Sequence, residues 1–239
     1  EGREKTDEPL PFAFGSRQDW TGALLKISSD YIDYLGEHFY GYPNLVIDLA
    51  KEAFVESDEP LALKVRRLAN RVQFKFEAWD EYMKRMPSLK DKGITFAFDE
   101  WSPRNRSLGT GPAPAGNPML NPLTNALVYH EFFRHSDMVG LAVATGGMGA
   151  VASDTSGDAI GLRMEGQVMK LLHDHFAGAL PVAVAGNAPQ LPARGVVAID
   201  NSARPSGSPT YPLDVFAALS ADRKKLSISV VNPTETDQE

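Results

Sequence analysis

Between Leu10 and Gly178, short apolar runs alternate with longer amphipathic ones, and beyond Gly178 the amphipathic runs stop. LPFAFGS (Leu10 to Ser16), DYIDYLGEHFYG (Asp30 to Gly41), GITFAFDEW (Gly93 to Trp101) and MVGLAVATGG (Met138 to Gly147) read as strands. Helical patterns fall between and after them: residues 19–29, Asn44 to Val55, Asp58 onward, Leu123 to Asp137 and Leu162 to Phe176. Strand–helix alternation of this kind calls for parallel strands joined by crossover helices. Four such units make half of an eight-stranded barrel, whereas an open sheet of four parallel strands would leave its edges unpaired.

The clearest helix starts at Asp58, expected to cap it, with Pro60 in the first turn, where its missing N–H costs nothing. Leu61, Val65, Leu68, Val72, Phe76, Trp79 and Met83 then form one apolar stripe, with Asp80–Lys84 and Glu81–Arg85 pairs on the outside. Residues 102–122 are dense in Pro and Gly, a loop of about twenty residues, long enough to suggest function. After Gly178 come the short pieces PVAVAG, RGVVAID, LDVFAALS and KLSISVVN between turn residues. Leu226, Ile228 and Val230 alternate with Ser227, Ser229 and Val231, the pattern of a half-buried antiparallel strand. A boundary near residues 178–183 divides the chain into an α/β part, 1–178, and an all-β part, 179–239.

Composition removes several function classes. With 43% hydrophobic and 23% charged residues the chain is not disordered, and it has no apolar run of membrane-spanning length. A net charge of −7 argues against a nucleic-acid partner. The absence of Cys excludes a disulfide scaffold, a Cys-zinc site and a thiol nucleophile. The opening EGREKTDEP is not a secretory signal, and the absence of Cys is compatible with either cytoplasm or an exported enzyme.

In parallel βα architectures the working residues sit at the C-terminal strand ends. Strand alternation groups Ile94, Phe96, Phe98 and Glu100 on the inward face of the third strand, with Thr95, Ala97 and Asp99 opposite. In the second strand the same parity groups Ile32, Tyr34, Gly36, His38 and Tyr40, and turns Glu37 away. A carboxylate, an imidazole and a phenol at one barrel mouth, with Trp101 adjacent, suit glycosyl transfer: the carboxylate attacks the anomeric carbon while neighbouring donors orient it. Taken singly, each has a plainer reading as a salt-bridging, satisfied or packing residue. His173 and His175 lie two apart on a helix and do not face one another, and His130 and His135 are no better spaced for a metal. The glycines of Ala144 to Gly149 match no phosphate-binding fingerprint. No metal or cofactor is expected.

FDEW (Phe98 to Trp101) after an apolar strand resembles the nucleophile motif of family 51 glycoside hydrolases, the α-L-arabinofuranosidases. YIDYLGEHFYG is similar to that family's sixth-strand segment, LPFAFGS to its fifth strand, and HSDMVGLAVATGG to its eighth. SPTYPLDVFAALSADRKKLSISVVNPT is similar to its C-terminal β-sandwich. The resemblance implies the C-terminal half of a (β/α)8 barrel followed by an antiparallel β-sandwich domain. It further implies Glu100 as catalytic nucleophile, with His38, Tyr40 and Trp101 lining the sugar site. The family's acid/base Glu lies in an Asn-Glu pair on the fourth strand. No Asn-Glu dipeptide occurs here, Phe39 stands where the family has Gln, and Ser102 stands where it has Asn. The chain is therefore expected to be the C-terminal part of a longer enzyme.

The resemblance implies a retaining hydrolase releasing α-L-arabinofuranosyl groups from arabinoxylan or arabinan. Its partners would be an arabinose-containing poly- or oligosaccharide and either further copies of the chain or an N-terminal half that completes it. A clan-related endo-glucanase or xylanase is the nearest variant. A non-catalytic carbohydrate-binding fragment is the alternative of a different class, and a metallohydrolase using His173 and His175 is a distant third.

Overall fold

The computed structural model describes residues 20–48, 50–51, 53–103, 117–145, 150–153, 160–186 and 208–238. The expected strand Leu10 to Ser16, most of the Pro/Gly loop, the glycines after Thr145 and the RGVVAID run lie outside these residues. A three-stranded parallel sheet forms the centre, in the order β1 (Tyr34–Gly41), β4 (Thr95–Pro103), β5 (Val139–Ala144). Helix α1 (Trp20–Ser28) precedes β1. Helices α2 (Leu61–Arg85) and α3 (Leu120–Arg134) make the two crossovers. Among the described residues these strands and helices follow the expected order, except at 44–55.

One sheet face packs against the helices. Leu35 and Phe39 of β1, with Phe96, Phe98 and Trp101 of β4, meet Val65, Leu68, Val72, Phe76 and Trp79 of α2 and Leu127, Val128 and Phe132 of α3 in a single buried cluster. The stripe read from α2 is thus its sheet-facing side, with Leu61 and Met83 partly buried at its ends. Phe76 meets Phe96 and Phe98 edge-on at centroid separations of 5.6 and 5.9 Å, and Phe39 meets Phe98 at 5.6 Å. Each such aromatic pair adds about 0.5–1.5 kcal/mol to the area it buries.

Two local expectations are corrected. Asp58 does not cap α2: Pro60 takes the N-cap position and no side chain closes the helix end. Ser57 and Glu59, the residues around it, are bound instead to Arg67 inside α2. Residues 44–55 are not a helix but a hairpin of β2 (Leu45–Asp48) and β3 (Ala53–Glu56). The β-branched pieces Leu-Val-Ile and Phe-Val favour a pleated pair. Asp48 Oδ1 accepts the amides of Ala50 and Lys51 at 3.0 and 3.1 Å, a side-chain turn that competes with helix. On α2, Lys84 pairs with Glu81 at 2.6 Å rather than with Asp80.

A short hairpin, β6 (Val151–Ser153) with β7 (Ile160–Leu162), leads into α4 (Met164–Phe176). The chain then turns through Gly178, at φ +68°, into a second sheet. That sheet is antiparallel, with β9 (Asp214–Leu219) between β8 (Leu180–Val182) and β10 (Leu226–Val231). The alternation read in β10 is present but inverted. Leu226, Ile228 and Val230 are 53%, 59% and 57% exposed, while Ser229 turns to the helices, where its hydroxyl lies 2.8 Å from His130 Nε2. The Ser229 hydroxyl thus finds its partner on the helix side of the strand.

Buried charge joins this sheet to the helices. Arg66 of α2 donates to Asp214 Oδ2 at 2.5 Å and pairs with Glu131, and Arg134 of α3 pairs with both carboxylates. His130 Nδ1 donates to Asp214 Oδ1 at 2.8 Å. The guanidinium of Arg66 and the imidazole of His130 hold the Asp214 carboxyl far below its ordinary range despite burial, whereas burial pushes His130 down. His130 is therefore neutral, with its proton on Nδ1 and its Nε2 accepting from Ser229.

Candidate active site

The sheet face away from the helices carries the polar strand ends. On β1, Leu35 and Phe39 face the core and Glu37 pairs with Lys75 of α2 at 2.7 Å. His38 and Tyr40 therefore lie on the opposite, open face, as the parity of the strand requires. Arg71 of α2 fixes the end of β1 by donating to the Tyr40 carbonyl at 2.5 Å.

On β4 the parity does not hold to the end. β1 pairs Gly36 with Ala97 but His38 with Glu100, so β4 carries one extra residue between these positions. Such a bulge re-aims the side chains beyond it. Ile94, Phe96 and Phe98 face the core, and above the bulge that role passes to Trp101. Asp99 and Glu100, which flank the bulge, both reach the open face, their side chains 47% and 45% exposed.

His38 stands between the two carboxylates. Its Nε2–H donates to Asp99 Oδ2 at 3.1 Å, and its Nδ1 lies 3.5 Å from Glu100 Oε2. The Tyr40 hydroxyl donates to the same Glu100 Oε2 at 2.6 Å and lies 3.1 Å from Thr145 Oγ1, just after β5. The hydrogen bond to Asp99, reinforced by the charges of Asp99, Glu100 and Glu37, raises the His38 pKa above the ordinary imidazole value. The same bond lowers that of Asp99. Both contacts to Glu100 fall on Oε2, and among the described residues Oε1 carries none. A carboxylate with one oxygen held by a phenol and flanked by an imidazole, and the other turned to an open face, is poised for attack on an electrophilic carbon.

Of the predicted site residues, Glu100, His38 and Tyr40 converge. Trp101 does not: it is 0% exposed, packed by Phe39, Tyr129 and Phe132, and cannot reach a ligand on the open face. The bulge is the reason, since it turns the residue after Glu100 into the helix layer. Sequence reading missed Asp99, because it put Ile94, Phe96 and Phe98 on the site face with Glu100 whereas these three pack in the helix-side core, and it missed Thr145, which carries no motif. His173 and His175 lie in the last turn of α4, and His135 stacks on Phe76 at 4.1 Å. No three His, Asp or Glu among the described residues group around a possible metal position.

No protein-family model and no curated protein matches the sequence. Solved structures do. An α-L-arabinofuranosidase from Thermotoga maritima, solved as an arabinose complex, superposes with a TM-score of 0.55 at 19% identity over 87% of this chain. The family 51 enzyme of Thermotoga petrophila gives 0.52 at 20% identity over 87%. That of Bifidobacterium longum gives 0.53 at 13% over 89%. The chain spans only 40–41% of the length of these proteins. It has the mixed α/β fold of the C-terminal region of family 51 α-L-arabinofuranosidases, parallel sheet first and antiparallel sheet after.

Proposed function

We propose that this chain is the nucleophile-bearing part of a retaining glycoside hydrolase that releases α-L-arabinofuranosyl groups from arabinoxylan or arabinan. Residues 1–178 would form the C-terminal half of a (β/α)8 barrel and residues 179–239 part of a β-sandwich. The observation that carries the reading is Glu100 at a C-terminal strand end, with Oε2 held by Tyr40 at 2.6 Å and His38 beside it. The fold likeness to the arabinofuranosidases supports the substrate class.

In this mechanism Glu100 Oε1 forms a C–O bond to the anomeric carbon as the glycosidic C–O bond breaks. The leaving oxygen takes its proton from a carboxylic acid supplied by a segment outside this chain. That group, as carboxylate, then takes a proton from water, whose oxygen attacks the same carbon and restores Glu100. Tyr40 and His38 orient the nucleophile and balance its charge. Glu37 is no substitute for the acid, being paired with Lys75 on the helix side. Asp99 is none either, since a carboxyl with a lowered pKa holds no proton to give.

A mechanism-based arabinofuranosyl inhibitor with a good leaving group bypasses the missing acid. Incubated with the chain, it should add one glycosyl mass to the peptide containing Glu100, and Glu100→Gln should abolish the adduct. Labelling elsewhere, or none once the N-terminal half is supplied, would sink the proposal. Sugar affinity that survives Glu100→Gln without any adduct in the wild type would favour a binding fragment. That reading draws on the open face, a half-site that a second chain would complete.

A further inference from the structure

We infer that Asp99 is the positioning residue of this site, holding His38 so that its second ring nitrogen serves Glu100. The inference rests on the reading of Glu100 as nucleophile and adds a residue and a role to it. The argument begins with the bulge in β4. With Phe96 and Phe98 facing the helices, regular alternation leaves Asp99 on the open face but would send Glu100 into the helix layer. One extra residue between Ala97 and Glu100 instead puts two consecutive carboxylates on the open face, on either side of one imidazole.

The two ring nitrogens are not used alike. Nε2 makes the closer contact, 3.1 Å to Asp99, and Nδ1 stands 3.5 Å from Glu100. The Asp99 bond locks the proton on Nε2. A neutral His38 would then turn the Nδ1 lone pair against the Glu100 carboxylate, so the arrangement holds together only with Nδ1 protonated as well. Asp99 thereby selects the imidazolium, and the imidazolium supplies the second donor to Glu100 Oε2 beside Tyr40. With Oε2 held twice, attack is left to Oε1.

The charged and titratable groups facing His38 are Asp99 and Glu100 from β4, and Tyr40 and Glu37 from its own strand. Glu37 is turned to Lys75 of α2, and among the described residues the end of β5 brings only the neutral Thr145, through Tyr40. Asp99 is thus the group whose removal should change the state of the imidazole most.

The test is a pH titration of His38 by ¹⁵N and ¹³C NMR on the full chain, in the wild type, Asp99→Asn and Glu100→Gln. Wild-type His38 should carry both ring protons at neutral pH and titrate above an ordinary histidine. Asp99→Asn should lower that midpoint and lose the doubly protonated signature at neutral pH, by more than Glu100→Gln does. An unchanged midpoint in Asp99→Asn, or a larger fall in Glu100→Gln, would overturn the inference. This arm does not depend on catalysis, so it stands or falls apart from the glycosidase reading. In the inhibitor assay, Asp99→Asn should slow labelling of Glu100 by roughly 10–100-fold, the loss typical when a carboxylate orienting a working histidine is removed. The pH at which labelling falls off on the alkaline side should also move down. Slowed labelling with an unmoved pH profile would make Asp99 merely structural and refute the role.

Discussion

At the scale of single residues, the site is a matter of which side chain holds which oxygen. Tyr40 donates to Glu100 at 2.6 Å, so Tyr40→Phe should slow inhibitor labelling by about 10²–10³-fold, the usual loss for one preorganised donor. Intact-protein mass spectrometry against time would measure it, and a loss below about 3-fold would remove Tyr40 from the mechanism. Trp101 gives the opposite kind of prediction. Its ring is wholly buried, and its Nε1–H has no hydrogen-bond partner among the described residues. Trp101→Ala should therefore cost about 3–5 kcal/mol of stability by leaving a cavity. Trp101→Phe should cost clearly less, because it removes an unpaired buried donor along with part of the ring. Urea denaturation separates the two, and equal costs would mean that the indole N–H finds a partner after all.

At the scale of elements, the junction of α2, α3, β9 and β10 carries most of the buried charge. Removing Asp214 leaves Arg66 and Arg134 short of a counter-charge and His130 without its acceptor. Asp214→Ala should thus cost about 3–5 kcal/mol and loosen β9 and β10 first, visible as faster amide exchange there. The pH dependence follows from the two depressed groups. His130 is neutral in the fold but takes a proton near pH 6.5 once released, so its contribution is full above that pH and is lost as pH falls below it. Asp214, also lowered, adds a loss below its unfolded value of 3.8. His38, raised by Asp99, has the other sign: its contribution is present below pH 6.5 and is lost as pH rises through the raised value. Acid should therefore release the C-terminal sheet before the parallel one, and His130→Gln should flatten the part of that curve just below pH 6.5. The elements also show where local reading failed. The apparent helix at 44–55 became a hairpin because Asp48 captures two backbone amides, and Asp58 lost its cap role because the chain around it is tied to Arg67.

At the scale of the molecule, the open sheet face and the outer face of β10 share one property: apolar side chains without cover. Tyr34 and Leu141 on the parallel sheet, and Leu226, Ile228 and Val230 on β10, are about half exposed. Exposed apolar area of this extent marks interaction surfaces, and the chain spans only 40% of the length of the arabinofuranosidases whose fold it shares. Sedimentation of the isolated chain should accordingly show species heavier than 26.1 kDa, and an added N-terminal half should convert them to a defined complex. A stable lone monomer would argue against completion by another chain.

Much of this was legible in the sequence, for definite reasons. The strand–helix order, the stripe of α2 and the parity of β1 are periodic properties of consecutive residues, and they placed His38, Tyr40 and Glu37 on their correct faces. The FDEW motif singled out Glu100. Three things needed the tertiary structure. A bulge is one residue of mismatch between two strands, invisible in either strand alone, and it moved Glu100 onto the open face and Trp101 off it. On β10 the inward face carries Ser229, whose partner His130 lies 99 positions earlier in the chain, a pairing that alternation cannot reveal. The buried cluster around Asp214 joins residues up to 148 apart. Local order fixes period and face, because those depend on neighbours along the chain. Register and charge pairing depend on neighbours in space, and only the folded chain chooses them.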